Sequence, residues 1–177
     1  MEEYFNQIND SNKVVKKKAL ESILIIAQDD NEEMVPSEDN LRDIIKCLTD
    51  KYERCREISC QIIKILVSKD KETLRQFLPH LFQIFSRRLS AEEEYEPSEE
   101  VRIHLMQLLS SCYQTYTTDL AIYTEDTIEI IINMLDDKCP DIKKTAADTL
   151  IRIAPSNKKV MMMKGSSLVP PLARNIR

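Results

Sequence analysis

The run DKYERCREISC, residues 50–60, places two cysteines, two arginines and two glutamates within eleven residues. Residues of these types serve a metal site or a nucleophilic thiolate. For zinc, the candidate ligands are Cys47, Cys55 and Cys60 with His80 or His104. Structural zinc uses four ligands in short paired spacings, and the intervals of eight and five residues here fit no such pattern. Arg54 and Arg56 flank Cys55 and would favour its thiolate. A nucleophile also needs a base with an orienting partner, and neither histidine sits in such a motif. Phosphate-cradling loops need two or three glycines, and Gly165 is the single glycine of the chain. The residues therefore predict no catalytic, cofactor-binding or metal-binding set, no enzyme and no small-molecule substrate. Cys55 reads as a small buried apolar side chain.

The elements that carry this run follow from composition and periodicity. Hydrophobic residues make up 42% and charged residues 31%, which predicts a folded, helix-rich chain. One glycine is too few for the tight turns of sandwiches, barrels or doubly wound sheets, so an all-α fold is expected. The five cysteines, an odd number without a CxxC pair, predict reduced thiols in a cytosolic or nuclear protein. No secretory leader is expected at the start. Apolar runs such as Ile23 to Ala27 are too short to span a bilayer, so no membrane partner is expected. A net charge of −5 gives no reason to expect nucleic acid.

A repeat then emerges. Val15-Lys16, Cys55-Arg56, Val101-Arg102 and Ile142-Lys143 lie 40, 46 and 41 residues apart. Four residues beyond the apolar mark come Ala19, Ser59, Leu105 and Ala146; five before it come Asp10, Asp50, Glu96 and Asp137. Apolar residues at helical spacing fill the stretches on both sides, as in LRDIIKCL before Asp50 and IEIIINML before Asp137. Each unit thus predicts two antiparallel helices joined by an acidic turn, with units near 1–27, 37–69, 72–116 and 124–154. SLVPPLARNI predicts the start of a fifth at 166–177, in the N-terminal part of a longer solenoid. Ser37 is expected to cap the second unit's first helix, and Thr124 the fourth's. Two-helix units bury their apolar faces by stacking, so the fold class is an all-α right-handed superhelical solenoid of antiparallel helix pairs, HEAT or armadillo-like.

The period, the turn acid and the apolar-cation opening of the second helix resemble the HEAT repeat. CLTDKYERCREIS (47–59), EPSEEVRIHLMQLL (96–109) and SLVPPLARNI are similar to the N-terminal repeats of the HEAT-repeat dynein axonemal assembly factors. That resemblance implies a non-catalytic protein-binding scaffold, acting in the cytoplasmic preassembly of dynein arms for motile cilia. The partners it implies are axonemal dynein chains, chaperones and cochaperones. A general HEAT adaptor, of phosphatase-scaffold or transport-receptor type, is the alternative.

Two sets of residues follow from the repeat's phase. The ladder comprises Asp10, Lys16, Asp50, Arg56, Arg102, Asp137 and Lys143. In it a turn carboxylate is expected to reach the cation opening a second helix, in its own unit or the next, with Asp50–Arg56 and Asp137–Lys143 as the pairs. Positions two and six after the apolar mark form the expected partner face on the second helices: Lys17, Glu21, Glu57, Gln61, Ile103, Gln107, Lys144 and Asp148. The lysines around Lys16–Lys18 with Lys13 read as a small solvated basic patch, and the acidic loop 91–98 as a candidate partner contact.

Overall fold

Helix caps and apolar stripes decide the architecture. In the computed structural model, residues 2–29, 34–69, 71–90 and 94–175 are described. Among them every regular element is helical, without a strand. They fall into two compact halves, up to Leu81 and from Phe82 on.

The first half holds α1 (Glu2–Gln7), α2 (Lys13–Gln28), α3 (Glu38–Lys46), α4 (Glu53–Lys69) and α5 (Lys71–Arg75). Asn12 starts α2 by accepting the Val14 N–H at 2.9 Å, and Ser37 starts α3 by accepting the Asn40 N–H at 3.2 Å. Glu38 and Asp39 in the first turn of α3 and Lys46 in its last suit the helix dipole. Ala19, Ile23 and Ala27 recur every four residues on α2 and are all buried. Cys55, Ser59, Ile62, Ile63 and Leu66 form the corresponding buried stripe of α4. With these stripes inward, α2 packs on α1 and α4, and α3 packs on α4. Ala19 and Ser59 are small, which lets helices approach closely.

The boundary between the halves falls within α6 (Leu78–Leu89). The second half continues with α7 (Glu99–Thr115), α8 (Thr124–Leu135), α9 (Pro140–Ile153) and α10 (Lys158–Arg174). Ser98 caps α7 through the Val101 N–H at 3.3 Å, and Pro140 opens α9 where its missing N–H costs nothing. α9 packs on both α7 and α8, and α8 also packs on α10. Leu105 breaks the small-residue rule yet is fully buried. Thr124 does not cap α8 as expected. Its hydroxyl donates to the Ala121 carbonyl at 2.9 Å, and Tyr123 holds the cap position.

The last helix departs from expectation at its start. α10 begins at Lys158 and runs through Gly165, Pro170 and Pro171, where the sequence predicts the opening helix of the fifth unit over SLVPPLARNI, residues 167–176. Glycine and proline weaken an isolated helix, but docking on α8 outweighs that propensity. Lys164 pairs with Glu129 at 2.7 Å, Arg174 forks onto Asp136 at 2.6 and 2.8 Å, and Asn175 donates to the Leu135 carbonyl at 2.8 Å. Residues 1, 91–93, 176 and 177 of the expected units lie outside the described residues.

Candidate functional site

All four turn acids do one thing in common. Each accepts the backbone N–H two residues on: Asp10 from Asn12 at 2.7 Å, Asp50 from Tyr52 at 2.8 Å, Glu96 from Ser98 at 3.1 Å and Asp137 from Cys139 at 2.9 Å. A short acidic side chain closing on its own backbone fixes a turn ahead of a helix. Each acid therefore fixes the turn from which its second helix starts.

At Asp50 and Asp137 the carboxylate also receives a cation from the preceding second helix. Lys16 of α2 reaches Asp50 Oδ2 at 2.5 Å, and Arg102 of α7 reaches Asp137 through Nε at 2.8 Å and Nη2 at 3.2 Å. This corrects the expected pairs. Arg56 meets its own turn at the Asp50 main-chain carbonyl, 2.9 Å away, and Arg102 likewise donates to the Glu96 and Pro97 carbonyls at 3.1 and 3.0 Å. A cation six residues after its turn acid sits on the helix's first turn, over the turn's backbone. The neighbouring helix's turn is then the carboxylate within reach. Lys143 makes no ion pair with Asp137 among the described residues and lines an open pocket with Leu135 and Leu172.

Burial makes the two rungs different. Burial alone would raise the Asp137 carboxyl, but hydrogen bonds from Arg102, the Cys139 N–H and Tyr95 hold it below its usual value. Tyr95 donates its hydroxyl to Asp137 at 3.0 Å and lies 5.4 Å from the Arg102 guanidinium. Its phenol is pushed up to about 12 by burial and by the Asp137 charge. The hydrogen bond to Asp50 raises Lys16 above its ordinary value.

The cysteines of the opening run are structural. All five are buried and none forms a disulfide. Burial pushes the Cys47 thiol up to about 11 and the Cys112 thiol up to about 12, and it raises Cys55 as well. Such thiols hold their protons at neutral pH and are poor nucleophiles. No group of three or more His, Cys, Asp or Glu that would hold a metal occurs among the described residues. His80 is exposed and His104 half-buried, on different helices. Among the described residues, no helix is long and apolar enough to cross a membrane.

The expected partner-face residues divide. Lys17 is exposed and Glu21 half-buried, and the two pair at 3.5 Å. Glu57 accepts from Arg54 at 2.6 Å and from Gln61 at 3.2 Å, so Glu57 and Gln61 form one polar strip with Arg54 on α4. Ile103 and Gln107 are half-buried on α7, while Lys144 and Asp148 are exposed on α9. In the acidic loop, Glu94 takes both arms of the Arg87 guanidinium, and Glu96 is fully buried, its N–H on the Arg88 carbonyl at 2.9 Å. Those two acids fold back on the end of α6; residues 91–93 of that loop lie outside the described residues.

One feature was not anticipated. Between the N-terminal ends of α2 and α4 lies an open groove of about 520 Å³, lined by five cations and two carboxylates. Tyr52 forms its centre, with Lys51 Nζ at 4.9 Å and Lys13 Nζ at 5.9 Å from the ring centroid. The lysine run of α2 was legible, but Lys51 and Tyr52 join it only through the packing of α2 on α4. A Lys-Tyr pair in the turn between an acid and the next helix is the signal that would have pointed to it.

Comparison with known proteins places this geometry. Residues 7–177 match the family described as dynein axonemal assembly factor 5-like, TPR repeats. The dynein axonemal assembly factor 5 of Xenopus laevis is 30% identical over 177 residues, covering 98% of this chain and 21% of that protein. The mouse protein of the same name is 24% identical over 136 residues, covering 75% of this chain and 16% of that protein. This chain thus spans about a fifth of the length of the relatives it matches. A computationally designed armadillo repeat protein for modular peptide recognition superposes with a TM-score of 0.74 at 16% identity, covering 97% of this chain and 72% of that one. A second designed armadillo protein, in complex with the peptide (KR)4, gives 0.73 at 16% identity, covering 97% and 72%. These likenesses show an all-α solenoid of repeated helix pairs. The intervals of 40 to 46 residues fit HEAT and armadillo periods better than the 34 residues of a TPR unit.

Proposed function

The chain belongs to the dynein axonemal assembly factor 5-like family, and from this we propose that it forms part of a non-catalytic scaffold for the cytoplasmic preassembly of axonemal dynein arms. The observation that carries the reading is the family match across residues 7–177, on a solenoid whose turn charges are consumed in holding successive helix pairs. Stacked helix pairs present long ordered surfaces, which suit capture of large multi-chain partners. We assign the helix pairs α1–α2, α3–α4, α6–α7 and α8–α9 to the four expected repeat units, with α10 opening a fifth. We place the partner face on the second helices, at Lys17, Glu21, Glu57, Gln61, Ile103, Gln107, Lys144 and Asp148. Axonemal dynein chains are the clients, and chaperones and cochaperones act beside the scaffold in the cytoplasm.

The test is depletion of the protein that carries this chain from cells building motile cilia. Electron microscopy of their axonemes should then show missing dynein arms, with the tagged protein restoring them from the cytoplasm. Depleted cells with a full complement of arms would overturn the proposal.

A further inference from the structure

We propose that the groove between α2 and α4 holds an acidic peptide segment of a partner protein, with carboxylates on Lys13, Lys18 and Lys51 and an apolar side chain against Tyr52. This rests on the reading of the chain as a protein-binding scaffold, and it names where and by what chemistry one partner is held.

Three cations of this corner stand outside the ion pairs that hold the helices. Lys16 and Arg56 serve the turn, whereas Lys13, Lys18 and Lys51 form no ion pair among the described residues. Lys17 and Arg54 are paired with acids of their own surface, Glu21 and Glu57. Five cations against two carboxylates at one corner, on a chain of net charge −5, concentrate positive charge where it repels itself unless an anion arrives. The ring of Tyr52 and the half-exposed Val14 give the groove an apolar floor between charged walls. A volume of about 520 Å³ accommodates a few side chains, within the range of ordinary ligand clefts. Glu21 and Glu53 in the lining favour a peptide over a polyphosphate backbone, because a peptide can place its carboxylates away from them while evenly spaced phosphates cannot. An acidic segment with an interspersed apolar residue satisfies walls and floor together.

The test is fluorescence anisotropy of a fluorescein-labelled peptide repeating Glu-Asp-Leu, titrated with the 177-residue chain. Binding should weaken as ionic strength rises from about 0.1 M to about 0.5 M, as expected of partly exposed ion pairs. Lys13→Glu with Lys51→Glu should lower affinity about tenfold or more, since two attractions become repulsions. Tyr52→Ala should lower it about threefold, through lost apolar contact. Lys158→Glu with Lys159→Glu makes the same change of net charge on exposed residues of α10 and should leave binding unchanged. Circular dichroism of each variant confirms that the helices persist. Absence of binding by the wild type, or equal losses in both double variants, would overturn the proposal. So would tighter binding of oligothymidylate or of phosphatidylserine vesicles than of the peptide, with the same Lys13 and Lys51 dependence. The groove is read out in solution and dynein-arm assembly in cells, so either can fail while the other stands.

Discussion

At the turn before α4, Asp50 takes a single ammonium, Lys16 at 2.5 Å, and the neighbouring Tyr52 lies half-buried between Lys13 and Lys51. At the turn before α9, Asp137 takes both arms of the Arg102 fork and the hydroxyl of Tyr95, which covers the guanidinium. The plan is the same in both: an acid closes its own turn and receives a cation from the previous second helix. The difference lies in what surrounds the pair. Side-chain exposure is 17% and 10% for Lys16 and Asp50, against 10% and 1% for Arg102 and Asp137. Arginine's planar fork holds the carboxylate and two turn carbonyls at once, where lysine offers a point charge to the carboxylate alone. One corner is closed by its own residues. The other leaves its cations and its tyrosine to a visitor.

Removing one partner of the closed corner should give the largest effect. Arg102→Ala leaves Asp137 buried without its counter-charge, only the Cys139 N–H and the Tyr95 hydroxyl still facing it, and urea unfolding should show a loss of about 3–5 kcal/mol. Lys16→Ala should cost about 1–2 kcal/mol, because Asp50 keeps its backbone hydrogen bond and more access to water. Equal losses at the two corners would remove the distinction drawn here.

The pH dependence separates the same corners. The Asp137 carboxyl is depressed in the folded protein, so its contribution is fully present above the ordinary value of 3.8 and is lost as pH falls through the folded value. Lys16 is raised, so its contribution is fully present below the ordinary 10.5 and is lost as pH rises through the folded value. Stability measured against pH should therefore lose part of its acid limb in Arg102→Ala and part of its alkaline limb in Lys16→Ala. The reverse assignment would contradict the pairing.

The smallest effect runs in the opposite direction. Ser59 Oγ is buried and meets no oxygen or nitrogen partner among the described residues, only the weakly bonding Cys47 thiol, at the position that α2 and α9 fill with Ala19 and Ala146. Ser59→Ala should stabilise the protein by about 1 kcal/mol, seen as a rise of about 2–4 °C in melting temperature. A fall would mean that the hydroxyl has a role that its surroundings do not show.

Much of this was legible in the sequence because it is local. The single glycine, the helical spacing of apolar residues and the acid five residues ahead of each apolar mark specify helix pairs and their turns without any knowledge of neighbours. The buried stripe of α4, Cys55 to Leu66, follows from the same period. What the pattern left open is which helix supplies the cation. Arg56 lies six residues from Asp50 along the chain, Lys16 thirty-four, and only packing of α2 on α4 brings the second closer to the carboxylate. The start of α10 was missed for a related reason: Gly165 argues locally against a helix that docking on α8 supports. The groove also joins residues far apart in sequence, Lys13 and Lys51 around one ring, so the lysine run of α2 alone read as solvated surface.

That a cation of one second helix locks the turn of the next pair is tested most directly by a double-mutant cycle. Unfolding free energies of the wild type, Arg102→Ala, Asp137→Ala and the double variant give the coupling between the two side chains. A coupling of at least about 1.5 kcal/mol is predicted; losses that add within about 0.5 kcal/mol would contradict the ladder.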